Sequence, residues 1–201
     1  ATCSAVLDVG ATTMTYDMDD PNYTKSENNS WLVPNAHIPV HIAGEVSSFP
    51  IPSKTPFGNL PIIEDACQAI GAIKNPTSDA QCWSFYPAKI LGCFGDAGAI
   101  TTNREDIYNY VRGARNHFKE TNEDLGGNYR MDNLQAVILN IRLKYIDEIL
   151  ARRKEIAERY LEELKDLEKQ GFIKLPNNQV GRSWQDFIIQ IPVLICLIFL
   201  K

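Results

Sequence analysis

An acid, Asp65, and a lysine, Lys89, each follow a short apolar run that stops abruptly in polar or turn residues. Pro61-Ile62-Ile63 halts at Glu64-Asp65, and Cys82-Trp83-Ser84-Phe85 gives way to a turn-rich stretch where Lys89 stands among Pro87, Ala88, Ile90 and Leu91. Both runs have the length and composition of buried strands, and in open α/β sheets ligands sit beyond the carboxyl ends of strands. An amine among apolar neighbours is partly desolvated, which favours the neutral nucleophile. A carboxylate at the adjacent strand end can hold a ring nitrogen protonated. Together these are the two groups a pyridoxal 5'-phosphate site requires: a lysine for the Schiff base and a carboxylate that makes the ring an electron sink. Each also has a plainer reading, because a strand-end Asp often caps the next turn and a loop Lys is usually solvated.

The elements that must position the pair can be read along the chain. Ala5-Val6-Leu7-Asp8-Val9 predicts a first strand, followed by turn residues at Gly10 and at Asp19-Asp20-Pro21-Asn22. Ala36 to Gly44 predicts a buried strand ending in glycine; its His41 is either a hydrogen-bonded structural residue or part of the pocket lining, and it has no partner at metal-ligand spacing. Cys67 to Ala72 is compatible with a helix behind Asp65. Asn103 with Asp106 three residues on predicts a helix start of capping-box type. A long helix begins at Asp132 with Gln135 at the capping-box position, and Gly171 ends it. Its apolar stripe runs through Leu134, Ile138, Ile141, Tyr145, Ile149, Ile156, Tyr160, Leu164 and Leu167, and lapses around Arg152-Arg153. Glu148→Arg152 and Glu155→Arg159 are spaced for ion pairs.

The wording around the pair is specific. I-E-D-A-C-Q-A-I-G-A, then S-F-Y-P-A-K, then G-D-A-G-A-I-T-T-N occur in that order, followed by RGARNH at 112–117 and GNYRMDNLQA at 127–136. These blocks resemble the DegT/DnrJ/EryC1/StrS sugar aminotransferases. The resemblance implies an α/β fold, the PLP-dependent transferase fold type I, as a partial large domain with a mainly parallel sheet and the start of a small C-terminal domain. The division it suggests is 1–129 for the large domain and 130–201 for the long helix and the small domain. By the same resemblance Lys89 is the covalent lysine and proton shuttle, and Asp65 pairs with the pyridine nitrogen. Gln68 faces the phenolic oxygen, Ser84 donates to the phosphate, and Asn128 reaches the phosphate of a neighbouring subunit. The implied cofactor is pyridoxal 5'-phosphate. The implied partners are a nucleotide-linked keto-deoxysugar, glutamate as amino donor, and a second copy of the chain sharing the site.

Departures from the family pattern are equally readable. Where relatives carry a crossover helix, residues 45–59 hold Pro50, Pro52 and Pro56, which oppose a regular helix. Tyr86 stands where many relatives have His and is given no role. Some relatives that deoxygenate sugars replace the lysine by histidine; Lys89 therefore favours amino transfer. Upstream of Ala1 the family carries a Gly-Thr phosphate turn and a stacking aromatic, and the match spans roughly half of a full-length member. The alternatives are a PLP-dependent sugar dehydratase, or an inactive fragment or interaction module built on the long helix.

Composition is consistent with this class. The 201 residues are 44% hydrophobic and 22% charged with a net charge of -5, and no basic stretch points to nucleic acid. Five cysteines without CxxC pairs read as reduced thiols of a cytoplasmic protein. Asn22-Tyr23-Thr24 and Asn28-Asn29-Ser30 read as chance glycosylation triplets. The apolar end, from Ser183 to Lys201, is too short and too interrupted by Gln190 and Pro192 for a membrane span. It is expected to be a truncated or frame-shifted end and an aggregation hazard.

Overall fold

The computed structural model describes residues 1–13, 15, 34–47, 60–73, 78–121, 126–178 and 180–192. The proline-rich segment at 48–59, both glycosylation triplets and the apolar tail from 193 onward lie outside the described residues.

A short sheet carries the candidate site. Strands β1 (Ile63–Asp65), β2 (Ala80–Ser84) and β3 (Gly98–Thr101) lie in that order. β1 and β2 are parallel, with Asp65 opposite Cys82; β2 and β3 are antiparallel, with Ser84 opposite Gly98. Parallel bridges from His37 to Ile62 and from Val40 to Asp65 set the extended segment 37–40 beside β1. The predicted strand before Gly44 is therefore present as a bridged edge. It ends in a 3-10 turn at Ile42–Gly44.

The first predicted strand is a helix instead, α1 (Thr2–Asp8). A short apolar run cannot by itself distinguish strand from helix. Its backbone pairs internally, from Ala5 N to the Ala1 carbonyl onward. The decisive residue is Gly10, at φ 75, where Gly10 N bonds the Leu7 carbonyl and Ala11 N the Val6 carbonyl. This is the paired-bond glycine stop of a helix, which an L side chain would strain.

The segment behind Asp65 is also not the expected helix. Two successive turns, Ala69 N to Ala66 O and Ala72 N to Ala69 O, replace it. Asp65 Oδ1 accepts the Cys67 amide, a local side-chain bond that competes with helix formation.

Helix α2 (Glu105–Ala114) starts two residues later than Asn103 predicts, and no side chain caps it. Instead Thr102 Oγ1 accepts the Arg104 amide, and the Arg104 guanidinium bridges Asp106 and Asp79. The Asp79 carboxylate also accepts the Ile62 amide at 2.8 Å, which ties the approach to β2 onto the approach to β1.

The single long helix of the sequence reading is three: α3 (Asn133–Leu143), α4 (Ile146–Glu163) and α5 (Lys165–Lys169). Asp132 does precede α3, but its side chain makes no capping bond. The break at Lys144-Tyr145 has no Gly or Pro behind it. It coincides with packing: Leu139 before it shares a buried cluster with Leu91 and Cys93, and Ile138 before it and Ile146 after it pack against that cluster with Phe85 and Met131. Tertiary contact outweighs local helix preference there. The ion pairs along α4 are Arg152–Glu155, Lys154–Glu158 and Arg159–Glu163, not the two expected ones. All are exposed, and such pairs contribute about 0–1 kcal/mol each. Lys174 and Gln190 exchange backbone hydrogen bonds, so the end of the described chain does run as an extended segment.

Candidate active site

Asp65 ends β1, and Ser84 ends the parallel neighbour β2. Beyond Ser84 the chain folds into a tight turn. Phe85 N bonds the Ala97 carbonyl, Lys89 N bonds the Tyr86 carbonyl, and Cys93 N returns to the Phe85 carbonyl. Ser84 Oγ accepts the Tyr86 amide, leaving its own hydroxyl hydrogen available. Gly92 closes the turn: a Cβ there would stand 2.5 Å from the Pro87 carbonyl oxygen. Tyr86, Pro87 and Ala88 are exposed, Lys89 is half-buried, and Ile90 and Leu91 are buried. The lysine thus sits where the turn passes from solvent into the core.

The Asp65 carboxylate accepts the Thr2 hydroxyl on Oδ2 and the Cys67 amide on Oδ1. Burial pushes its carboxyl up, yet hydrogen bonds from Thr2 and Cys67, with the nearby charge of Lys89, hold it below the usual carboxylate value. It is an ionised acid, and an ionised carboxylate offers about four acceptor positions, so a further donor fits. Beside it, burial and then the Asp65 carboxylate push the Cys67 thiol up to about 12. A thiol held there is a poor nucleophile.

Gln68 Oε1 accepts the Ala43 amide at 2.7 Å, which anchors the turn after segment 37–40 to the residues after β1. Its side-chain nitrogen makes no hydrogen bond among the described residues. Lys89 Nζ likewise has no hydrogen bond or ion pair among them. Asp65, Gln68, Ser84 and Lys89 all follow or close strand ends at one side of the sheet, each with a donor or acceptor unused among the described residues.

Asn128 lies elsewhere. It is exposed, bridges antiparallel to Asn116, and its Oδ1 accepts Arg130 Nε. Among the described residues it makes no hydrogen bond with the other four.

His41 is 2% exposed; its Nδ1 accepts the Ser47 amide and its Nε2 lies 3.6 Å from Glu64. Burial lowers its pKa, which the Glu64 carboxylate offsets only partly. Glu64 in turn accepts Ser78 Oγ, which also receives Gln81 Nε2. The structural reading of His41 is the one this network matches.

Sequence reasoning missed the residues that hold the lysine turn from behind. Gln185 Nε2 donates to the Ala88 carbonyl at 3.1 Å, and its Oε1 accepts the Ile90 amide at 3.0 Å. Arg142 donates to the Ile90 carbonyl, and Arg153 to the carbonyls of Trp184 and Gln185. One signal was in plain view: the lapse of the apolar stripe at Arg152-Arg153 marks a guanidinium turned inward.

Among the described residues no group of His, Cys, Asp and Glu is arranged to hold a metal ion, and no helix is long and apolar enough to cross a membrane. Cys3, Cys67, Cys82 and Cys93 are free thiols.

Comparison with known proteins sets this geometry in context. The sequence model of the DegT/DnrJ/EryC1/StrS aminotransferase family matches residues 1–194. The chain is 32% identical to dTDP-3-amino-3,4,6-trideoxy-alpha-D-glucose transaminase of Micromonospora megalomicea subsp. nigra, over 87% of this chain and 50% of that protein. It is 36% identical to UDP-N-acetyl-3-dehydro-alpha-D-glucosamine 3-aminotransferase of Acidithiobacillus ferrooxidans, over 95% of this chain and 55% of that one. The chain thus spans about half the length of these curated relatives. A Bacillus subtilis structure described with bound cofactor PMP superposes with a TM-score of 0.81 at 29% identity, covering 96% of this chain and 47% of that one. A DegT/DnrJ/EryC1/StrS aminotransferase from Brucella abortus gives 0.80 at 32%, covering 95% and 56%.

Proposed function

The chain belongs to the DegT/DnrJ/EryC1/StrS aminotransferase family and has its fold type I α/β architecture, and from that premise we propose that it serves PLP-dependent amino transfer from glutamate to a nucleotide-linked keto-deoxysugar. The observation that carries the proposal is the placing of Asp65 at the end of β1 and of Lys89 on the turn that follows the adjacent parallel strand β2. When bound, pyridoxal phosphate supplies the electron sink that makes the substrate carbon acidic.

The remaining roles fall to side chains with the right unused groups. Lys89, whose Nζ has no partner among the described residues, holds the cofactor covalently and then carries a proton to and from the substrate carbon. Asp65, ionised and with acceptor capacity left, keeps the ring nitrogen protonated. Gln68 offers its side-chain N–H groups to the phenolic oxygen, and Ser84 its hydroxyl to the phosphate. Asn128, exposed and apart, suits a phosphate contact in a second copy of the chain. A dimer is further supported by α3, where Leu134, Val137 and Ile141 expose half or more of their surface along one helical face. Residues 1–129 would then form the cofactor-binding part and 130–201 the start of the smaller one. The keto-sugar substrate class and the location in the cytoplasm are part of the same proposal, drawn from what the relatives act on.

The test is to incubate the protein with PLP, reduce with borohydride and map the modified lysine. Label at Lys89, abolished in Lys89→Ala together with amino-sugar formation, is the expected result. Label scattered over surface lysines would end the assignment.

A further inference from the structure

We propose that Gln185 is a positioning residue for Lys89, aiming the lysine by fixing the two peptide planes that meet at its Cα. The inference rests on the amino-transfer reading above.

The direction of a side chain's first bond is set by its backbone φ and ψ, and these are the angles between two rigid peptide planes. The plane before Lys89 contains the Ala88 carbonyl; the plane after it contains the Ile90 amide. Gln185 holds both with one side-chain amide, its N–H on the Ala88 carbonyl and its oxygen on the Ile90 amide. Among the described residues no other side chain bonds both of these groups. The Lys89 amide bonds only within the turn, to Tyr86, and the Arg142 bond to the Ile90 carbonyl lies one plane further on. On the solvent side Tyr86, Pro87 and Ala88 are exposed, and Lys89 Nζ has no hydrogen bond among the described residues.

Gln185 is itself held. It is 8% exposed, and Arg153 from α4 ties down its carbonyl and that of Trp184. Trp184 is left-handed at φ 54, a conformation that bulky residues rarely adopt and that persists only where surroundings enforce it. Arg182 stacks its guanidinium 4.4 Å from the Trp184 ring and pairs with Glu45, while Ser183 N bonds the Gly44 carbonyl. Residues 182–185 therefore strap the turn after segment 37–40, itself anchored to Gln68, to the lysine turn.

Two variants test the role. Gln185→Ala removes both bonds; Gln185→Glu keeps the shape and the acceptor but, when ionised, places an oxygen against the Ala88 carbonyl. A protonated carboxyl regains the donor, so lowering pH restores the clamp in Gln185→Glu alone. Two readouts are followed in the purified protein: hydrogen exchange at the Ile90 amide without cofactor, and PLP trapped on Lys89 by borohydride at subsaturating concentration. Both variants are expected to speed Ile90 exchange and to cut trapping at Lys89 by about tenfold, the scale of a lost bond to a buried partner. Trapping in Gln185→Glu, relative to wild type, should recover as pH falls from about 8 to about 5, across the range in which a buried carboxyl gains its proton. If Gln185→Ala melts, Gln185→Glu and its pH recovery carry the test. Faster Ile90 exchange with wild-type trapping would overturn the positioning role while leaving the amino-transfer reading intact. Absence of Lys89 label in the wild type would overturn both.

Discussion

Gly92 lies under the turn that presents Lys89, and alanine at this position asks whether that turn has any slack. The added Cβ would stand 2.5 Å from the Pro87 carbonyl oxygen, 2.8 Å from that of Tyr86 and 2.9 Å from the Pro87 carbonyl carbon. All three are backbone atoms, so no side-chain rotation relieves the overlap. Forcing a methyl group into a filled site costs about 1–3 kcal/mol. Gly92 is not left-handed, so the reduced freedom of the unfolded chain returns about 0.4–1 kcal/mol. The net loss is about 1–2 kcal/mol, which at a slope of about 1–3 kcal/mol/M lowers a urea midpoint by about 0.3–2 M. The second consequence is local. The Tyr86 carbonyl accepts the Lys89 amide, so moving it re-aims the lysine, and borohydride trapping of PLP at Lys89 should fall with the midpoint. Gly10→Ala is the control: nothing lies within 4 Å of its Cβ, but its φ is 75. It should cost about 1–2 kcal/mol through backbone strain alone and leave trapping at Lys89 unchanged. A Gly92→Ala protein with the wild-type midpoint and wild-type trapping would refute the steric argument.

Further outcomes follow from the ionisation of the site. With its thiol pushed up to about 12, Cys67 should be thiolate in only about one molecule in ten thousand at pH 8. Iodoacetamide should therefore label exposed Cys3 and spare Cys67 in native protein; equal labelling, read by peptide mass spectrometry, would contradict the buried setting. Asp65 is held below the unfolded carboxyl value of about 3.9, so its stabilisation is full above that pH and is lost as pH falls through the folded value. Asp65→Asn should flatten the acid limb of a stability-versus-pH curve below about pH 4, and an unchanged limb would count against the argument. For His41, burial depresses the folded value below about 6.5, so stability should decline as pH drops beneath that point and the histidine must take up a proton on unfolding. An NMR titration of His41 with its midpoint above 6.5 would reverse that sign.

What the sequence made legible was the chemistry at strand ends. Asp65 and Lys89 could be found because apolar runs stop sharply before them, and the sheet does bring those two ends side by side. α1 was illegible as a helix because five apolar or small residues show no period; only Gly10 carried the signal, and it reads equally well as a turn. The break at Lys144-Tyr145 has no Gly or Pro to read, and the residues on its two sides pack against a cluster that includes Leu91 and Cys93, far away in the chain. Cys67 to Ala72 looked helical by composition, yet one carboxylate bond from Asp65 redirects it. Gln185 was invisible for a different reason. Its partners are 95 and 97 residues distant, and no local pattern reports a contact of that separation.

That separation has a consequence for synthesis. The lysine turn closes on near neighbours, Tyr86 and Phe85, as soon as β2 and β3 can pair. Its brace is made 95 to 97 residues later, a delay of about 5–20 s at an elongation rate of about 5–20 residues/s. During that interval a nascent chain displays Lys89 on a turn complete in its local bonds but without its distant support. The reactive amine is thus shaped by its local bonds before it is aimed by its distant one.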